Sequence, residues 1–289
     1  MKKTVLSFIL ILSAVLTFSL TGCVMVSESY SDADKYSAGA CELEGSKVKS
    51  LSINWSAGKI SVSRHDLDTV TVSETCKKDL EEDQQVHTWL DGDTLRIQYC
   101  KSGQSFFFKM ADKNLEVKIP MDMELERLSI NGSSSDPLIE DITADSISVN
   151  VSSGDIKATG CSADTYDISS SSGSISIDQK GSASSINASS SSGEIEINAE
   201  HADFVKASTS SGDITLDLSD MPAETVASSS SGDIRLNVPE NADFTARVST
   251  SSGDFDSSLA LAKDGGRYIS GSGSNSVDIS TSSGDIRIS

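Results

Sequence analysis

The sequence predicts an all-β protein built as a β-solenoid, a parallel β-helix-like stack of coils of about 20 residues each. Three observations predict it. The first is a recurring Ser-Gly-Asp-Ile segment, as at Ser211-Gly212-Asp213-Ile214 and Ser231-Gly232-Asp233-Ile234. The second is spacing: the marker glycines fall at 154, 173, 193, 212, 232, 253 and 284, with successive gaps of 19, 20, 19, 20, 21 and 31. The third is column identity. Two residues after each glycine stand Ile156, Ile175, Ile195, Ile214, Ile234, Phe255 and Ile286. Five before it stand Val149, Ile168, Ala188, Ala207, Ala227, Val248 and Ile279, and three before it a column of mostly Ser and Thr. Within each limb these columns are two residues apart, the strand period. The alternative reading of many short strands is an antiparallel β-sandwich. A sandwich does not set the same position over itself, whereas a solenoid stacks identical columns about 4.8 Å apart.

The N-terminus precedes this body. Lys2 and Lys3 open an uncharged apolar run from Val5 to Leu20, which ends in Leu20-Thr21-Gly22-Cys23. This resembles a bacterial lipoprotein signal over residues 1–22, with Cys23 as the lipidated mature N-terminus. Residues 23–47 lack apolar periodicity and are rich in Ser, Asp, Glu and Gly, which predicts a flexible tether. The expected location is extracytoplasmic in the cell envelope. The chain would be anchored on the outer face of the cytoplasmic membrane, or in the outer membrane if the cell has one.

The body spans 48–289. In its irregular first half, 48–134, Leu51, Ile53, Trp55, Gly58, Ile60 and Val62 occupy the repeat columns. Val70–Val72, Leu95–Ile97 and Leu115–Ile119 read as further strands around a charged stretch. Regular repeats fill 135–289, with Ser135-Asp136 at a corner 19 residues before Gly154 and an insertion around Leu259 to Gly273. The corner motif comprises Gly154, Asp155, Gly212, Asp213, Gly232, Asp233, Gly253, Asp254, Gly284 and Asp285. A structural role is expected for it: glycine for a bend needing positive φ, Asp for hydrogen bonds to neighbouring backbone. The Ser/Thr column is expected to form a hydroxyl ladder bonding to itself.

Charge and chemistry narrow the function. With 43 acidic residues against 23 basic ones the formal net charge is -20, and removal of Lys2 and Lys3 takes it to -22. Such a chain repels phosphate backbones, so nucleic acid is excluded as a partner. Only 5% of residues are aromatic, which argues against a deep ligand pocket. Cys41, Cys76, Cys100 and Cys161 remain after Cys23. Cys76 and Cys100 each end a predicted strand and are the favoured disulfide, which leaves Cys41 with Cys161. No zinc spacing is present, His65, His87 and His201 lie far apart, and no cofactor is expected. The corner acids could attract Ca²⁺, but the Gly-Gly-x-Gly-x-Asp nonapeptide is missing, so turn capping is the reading and no metal site is assigned. The serines lack a nucleophile elbow or a neighbouring His, so no catalytic residue is assigned.

The run Val238-Pro239-Glu240-Asn241-Ala242-Asp243-Phe244, followed by Val248-Ser249-Thr250-Ser251-Ser252-Gly253-Asp254, is similar to the bacterial putative-adhesin family, a domain of unknown function. The resemblance covers 48–289. It implies a β-solenoid on a secreted or surface protein, and some relatives are linked to envelope-stress signalling. The expected function is thus a lipid-anchored, non-enzymatic, adhesin-like binding module with a macromolecular partner whose identity the residues do not encode. Two alternatives stand beside it: an envelope-stress component meeting cationic peptides, and a carbohydrate-active β-helix enzyme.

Overall fold

The structure, a computed structural model, describes residues 26–27, 29–106 and 113–289. The signal over 1–22 and Cys23 lie outside them. In chain order the strands begin with β1 (Val26–Ser27), β2 (Ser37–Ala38), β3 (Cys41–Glu44), β4 (Ser50–His65), β5 (Thr69–Thr75), β6 (His87–Asp91), β7 (Thr94–Gln98) and β8 (Ser105–Phe106). Then come β9 (Asn114–Pro120), β10 (Leu125–Glu140), β11 (Thr143–Ser153), β12 (Ile156–Ser172), β13 (Ile175–Ser190), β14 (Ile195–Thr209), β15 (Ile214–Leu218) and β16 (Glu224–Ser229). The last are β17 (Ile234–Asn237), β18 (Phe244–Thr250), β19 (Phe255–Ser257), β20 (Ala262–Asp264), β21 (Arg267–Ser270), β22 (Asn275–Thr281) and β23 (Ile286–Ile288).

The coils stack as a β-solenoid. Each has a first limb leading into the Ser-Gly-Asp corner and a second limb leaving it, and successive coils pair in parallel and in register. Thus Ile156 lies on Ile175, Ile175 on Ile195, Ile195 on Ile214 and Ile214 on Ile234. The two limbs face one another across a single core. Ile168, Ile186, Val205 and Ile279 of the first limbs and Ile177, Ile197, Leu216 and Ile288 of the second are all fully buried. Alternating positions point out, as the period-two pattern requires. The parallel register excludes the sandwich.

Each corner is a backbone contact. A methyl group added to Gly173, Gly193, Gly212, Gly232, Gly253 or Gly284 would lie 2.0–2.1 Å from the carbonyl oxygen of the corner glycine one coil away. The glycines are therefore needed for close approach of stacked backbones. Positive φ, the expected reason, applies among the markers only to Gly154, at 146°. The hydroxyl column also differs from expectation. Ser190, Thr209 and Ser229 donate to the carbonyls of Gly173, Gly193 and Gly212 at 3.1 Å, and Thr281 to that of Gly232 at 3.0 Å. The hydroxyls bond to the bend of the adjacent coil because that carbonyl, pressed under a glycine, has no strand partner.

Two coils stack out of chain order. β4 lies between β10 and the coil made by β7 and β9. At the other end β22 and β23 slot between the β16–β17 coil and the β18–β19 coil. The corner order is thus 212, 232, 284, 253. The expected insertion at Leu259–Gly273 is the chain turning back: it forms the antiparallel β20–β21 hairpin, which pairs with β18 and covers the end. Antiparallel strands close the first end too, β6 on β7 and β5 on β9. Open coil edges pair with other chains unless covered, which is the physical reason for such caps.

The expected tether over 23–47 also needs correction. β2 pairs with β6 and β3 with β5, so residues 37–44 belong to the cap. Tyr36 packs edge-on against Trp89 at 5.5 Å between ring centres, and Lys35 sits 4.6 Å from the same ring. Isolated aromatics in a polar stretch carry no period, so the sequence pattern did not reveal them.

Two outcomes test the stack. Ile214 is fully buried between Ile195 and Ile234, whereas Thr215 points outward. Ile214→Asp should cost about 3–5 kcal/mol in denaturant unfolding and Thr215→Asp less than about 1 kcal/mol; equal losses would refute the inward assignment. Thr225 sits in register with Val205 and Val277 at 0% exposure, its hydroxyl without a hydrogen-bond partner. Thr225→Val should therefore raise stability by about 1 kcal/mol, because an orphaned polar group is removed at constant shape; a loss of stability would show that the hydroxyl is bonded.

Candidate binding surface

The corner acids form a ladder, but a backbone ladder. Asp155 N–H donates to Asp136 Oδ1 at 3.1 Å and Ser174 N–H to Asp155 Oδ1 at 2.8 Å. Asp233 N–H donates to Asp213, Asp285 N–H to Asp233 and Asp254 N–H to Asp285, each at 2.9 Å. One carboxylate oxygen of each of Asp136, Asp155, Asp213, Asp233 and Asp285 therefore caps the next coil. Arg235 runs alongside, 3.2 Å from Asp233 and 3.7 Å from Asp213. This is turn chemistry, and among the described residues no cluster of three His, Cys, Asp or Glu is arranged to hold a metal ion.

The histidines are far apart and locally engaged. His65 Nε2 lies 2.6 Å from Thr69 O, His87 Nδ1 2.9 Å from Gln85 O, and His201 Nδ1 2.8 Å from Asp220. None faces a serine hydroxyl in the described hydrogen bonds.

The four described cysteines are thiols, so the expected Cys76–Cys100 bridge is not formed in the structure. Cys100 Sγ turns to Lys101 O at 3.5 Å. Both thiols instead lie in the field of the Lys113 ammonium. Cys41 and Cys161 are five strand steps apart, through β5, β9, β4 and β10. That is roughly 24 Å, far beyond the reach of about 7 Å that a bridge allows. Cys161 is buried, which pushes its thiol up to about 11.

Lys113 is the one fully buried cation among the described residues. Its Nζ meets Glu74 Oε2 at 2.7 Å and donates to Gln84 O at 2.6 Å and to Tyr99 O. The rings of Trp55 and Tyr99 lie 5.0 and 4.5 Å away. Burial lowers the lysine's pKa, and the Glu74 carboxylate opposes that shift. The group ties the last turn before β9 to the cap, and it does not open on a groove.

The outer faces of both limbs are open to a partner, and that of the first limbs is the one that carries grooves at both ends. One row of outward positions runs in unbroken register from Arg96 through Ser52, Ser129 and Ser148 to Asp278 and Arg247. Those nine strand steps span about 43 Å at about 4.8 Å each. A groove of about 490 Å³ opens near one end beside Ser52, Arg96, Arg127 and Ser129, and one of about 380 Å³ at the other beside Thr245, Arg247, Arg267 and Ser276. Both are shallow and polar. The second is bounded by a loop gathered on Asp243, whose carboxylate accepts from Ser272 Oγ at 2.6 Å, from Ser274 N and Oγ at 3.1 and 3.0 Å, and from Gly273 N. These hydrogen bonds pull the Asp243 carboxyl down to about 2. Asp243 stands in the Asn-Ala-Asp-Phe run singled out by sequence, but its role as loop anchor depends on the out-of-order coil, which no local pattern shows.

A stacked-coil β-solenoid with polar, regularly spaced faces and antiparallel caps is the class of protein this architecture defines. Residues 47–289 match the family described as Toastrack DUF4097, and the chain belongs to it. No curated protein sequence matches the chain. Among solved structures it is similar to a putative lipid binding protein from Parabacteroides distasonis, at TM-score 0.53 and 18% identity over 88% of this chain and 97% of that one. It is also similar to a putative adhesin from Bacteroides fragilis, at TM-score 0.48 and 14% identity over 86% and 96% of the two chains. A second putative adhesin, from Parabacteroides distasonis, gives TM-score 0.47 and 14% identity over 86% and 95%. At these identities the likeness concerns the fold. No helix among the described residues is long and apolar enough to cross a membrane.

The Asp243 anchor makes a pH prediction. Its folded pKa of about 2 lies below the ordinary carboxylate value, so its stabilisation is present above about pH 4 and is lost as pH falls through about 2. Asp243→Asn should melt below wild type at pH 5, and the gap should close as the pH drops to 2. A gap unchanged across that range would show that the carboxylate's charge is not what holds the loop.

Proposed function

We propose that this protein is a lipid-anchored, extracytoplasmic, non-enzymatic module that binds a macromolecular partner along the outer face of its first limbs. The observation that carries the reading is the unbroken outward row from Arg96 to Arg247. A rigid surface about 43 Å long, with hydroxyl, amide and charged groups at strand spacing, matches an extended repetitive partner better than a small molecule. The shallow polar grooves support the same reading, since small-molecule sites are concave and mostly apolar. The engagement of the corner acids with backbone N–H groups weighs against a glycan hydrolase, which needs a carboxylate pair set around a substrate. Solved structures of similar fold bear the names putative adhesin and putative lipid binding protein, in keeping with a binding role. A second reading, envelope-stress sensing through cationic peptides, draws on the formal charge of -20.

Anchoring rests on the Leu20-Thr21-Gly22-Cys23 box. Cells producing wild type should incorporate radioactive palmitate into the protein and be retained on mucin-coated glass under flow. Cys23→Ala should lose the label, and Ser148→Arg with Asn187→Arg on the face should keep the label but lose retention. Equal labelling would sink the anchor, and undiminished retention of the face variant would sink the face as the binding surface.

A further inference from the structure

The corner ladder has a direction, and at the last coil it is unfinished. Each isoleucine that follows a corner donates its N–H to the corner of the next coil: Ile175 to Glu194 O, Ile195 to Asp213 O, Ile214 to Asp233 O, Ile234 to Asp285 O and Ile286 to Asp254 O, at 2.9–3.0 Å. The next member of that series is Phe255, and no coil lies beyond it. Ile286 N–H donates to Asp254 O and Ser258 N–H to Ile288 O, so the even-numbered residues of β19 face β23. Phe255 and Ser257 therefore turn their N–H and C=O groups away from β23, the one strand that β19 pairs with among the described residues.

Two further positions end in the same way. Gly173, Gly193, Gly212, Gly232 and Gly284 each have a carbonyl that accepts a hydroxyl from the adjacent coil, the last from Thr250 at 3.1 Å. Among the described hydrogen bonds none reaches Gly253 O. Asp213, Asp233 and Asp285 each accept an N–H from the next coil, the last from Asp254 itself, whose own carboxylate receives none among the described bonds. Gly253 is exposed where Gly212, Gly232 and Gly284 are half-buried, and Phe255 is half-buried where the isoleucines of its column are buried. The returning hairpin covers β18 and the core at this end, with Tyr268 packed on the Phe255 ring at 4.5 Å. The backbone edge of the corner and of β19 lies bare. Beside it a groove of about 230 Å³ is acidic on balance, with Asp233, Asp254, Asp256 and Asp285 against Arg235 and Arg287.

We infer that the edge from Gly253 to Ser257 is a docking site for an extended strand of a partner protein, added in parallel as one further coil limb. The unfilled positions dictate the chemistry of that strand. A glycine stands over Gly253, because a Cβ there would meet the Gly253 carbonyl as closely as at the corners within the stack, where the distance is 2.0–2.1 Å. A Ser or Thr three residues earlier gives its hydroxyl to that carbonyl. The residue after the glycine gives its N–H to the Asp254 carboxylate and its C=O to Phe255 N–H. An apolar residue follows over Phe255, and then a Lys or Arg beside the outward Asp256, in keeping with the acidic edge. In such strand addition the main-chain bonds supply affinity and the alternate side chains supply specificity. A second copy of this chain fits less well, since a two-fold contact of this edge with itself brings Asp254 and Asp256 against their own counterparts. The site lies at the end of the stack and is independent of the first-limb face.

The test titrates the full chain in detergent against a fluorescein-labelled peptide, Thr-Ser-Ser-Gly-Asp-Ile-Arg-Ile, which has the sequence of residues 281–288 and meets every requirement above. Fluorescence polarisation should show that the peptide binds and that its Gly284→Val version does not. Asp254→Ala and Asp256→Arg in the protein replace exposed side chains, and each should weaken binding by about fivefold or more. The Arg287→Glu version of the peptide should bind the Asp256→Arg protein better than the original peptide does. Absence of binding by the original peptide, or binding of the valine version, overturns the site. Binding that Asp254→Ala leaves unchanged shows that the peptide has taken the place of β23, whose corner N–H is held by Asp233, and overturns it as well. A dimer of the full chain that the peptide disperses assigns the edge to a second copy and overturns the partner strand.

Discussion

The contact between stacked corners governs the rest of this structure. At each bend the carbonyl oxygen of one glycine sits where the side chain of the next would be, 2.0–2.1 Å from an imagined methyl carbon. That oxygen accepts a hydroxyl from the Ser/Thr column of the adjacent coil. One group is thereby the reason for two columns: the glycine must be small because of it, and the serine or threonine must be polar to satisfy it. The aspartate beside it accepts the next coil's N–H. With the bends held at strand spacing, the isoleucines on both limbs fall into ladders without a further device. The resulting order is one-dimensional, each coil depending on its immediate neighbours.

A one-dimensional stack has two ends, and here both are closed by returning chain. The first full-length coil, β4, is covered by strands that follow it in sequence, and the coil made by β22 and β23 is inserted beneath one that precedes it. Local repeat contacts therefore sit in the middle of the body, and contacts of long sequence separation sit at its ends. The special side chains concentrate there as well. Lys113 with Glu74 and two aromatic rings fastens one cap, and Asp243 with the loop at Ser272–Asn275 fastens the other. Such polar clusters are specific in geometry where the repeat ladder is not.

Function follows from the same division. In the repeats the acids and hydroxyls are absorbed by the fold, so their abundance carries less chemical meaning than the composition first implies. What the solenoid presents is spacing: a face with groups at regular intervals. The caps break that regularity, and at the last coils Arg247 and Arg267 border a polar groove. A regular face suits a repetitive partner, and an irregular end can select which one.

The sequence by itself determined the β-solenoid, its period, the inward columns and the position of every Ser-Gly-Asp corner. These depend on short-range alternation and on a repeat that returns every 19–21 residues through most of the body. Ile53 and Ile60 of the irregular half were legible for the same reason, and Ser135-Asp136 was placed correctly as a corner because it keeps the interval. The stacking order of the first and last coils, the cap built by residues 37–44, the buried Lys113 and the Asp243 loop were decided only by the tertiary structure. An in-register parallel ladder looks the same to each strand whichever coil lies next to it, so the columns do not encode their order. Only the loops and caps break that equivalence, through contacts between residues far apart in the chain.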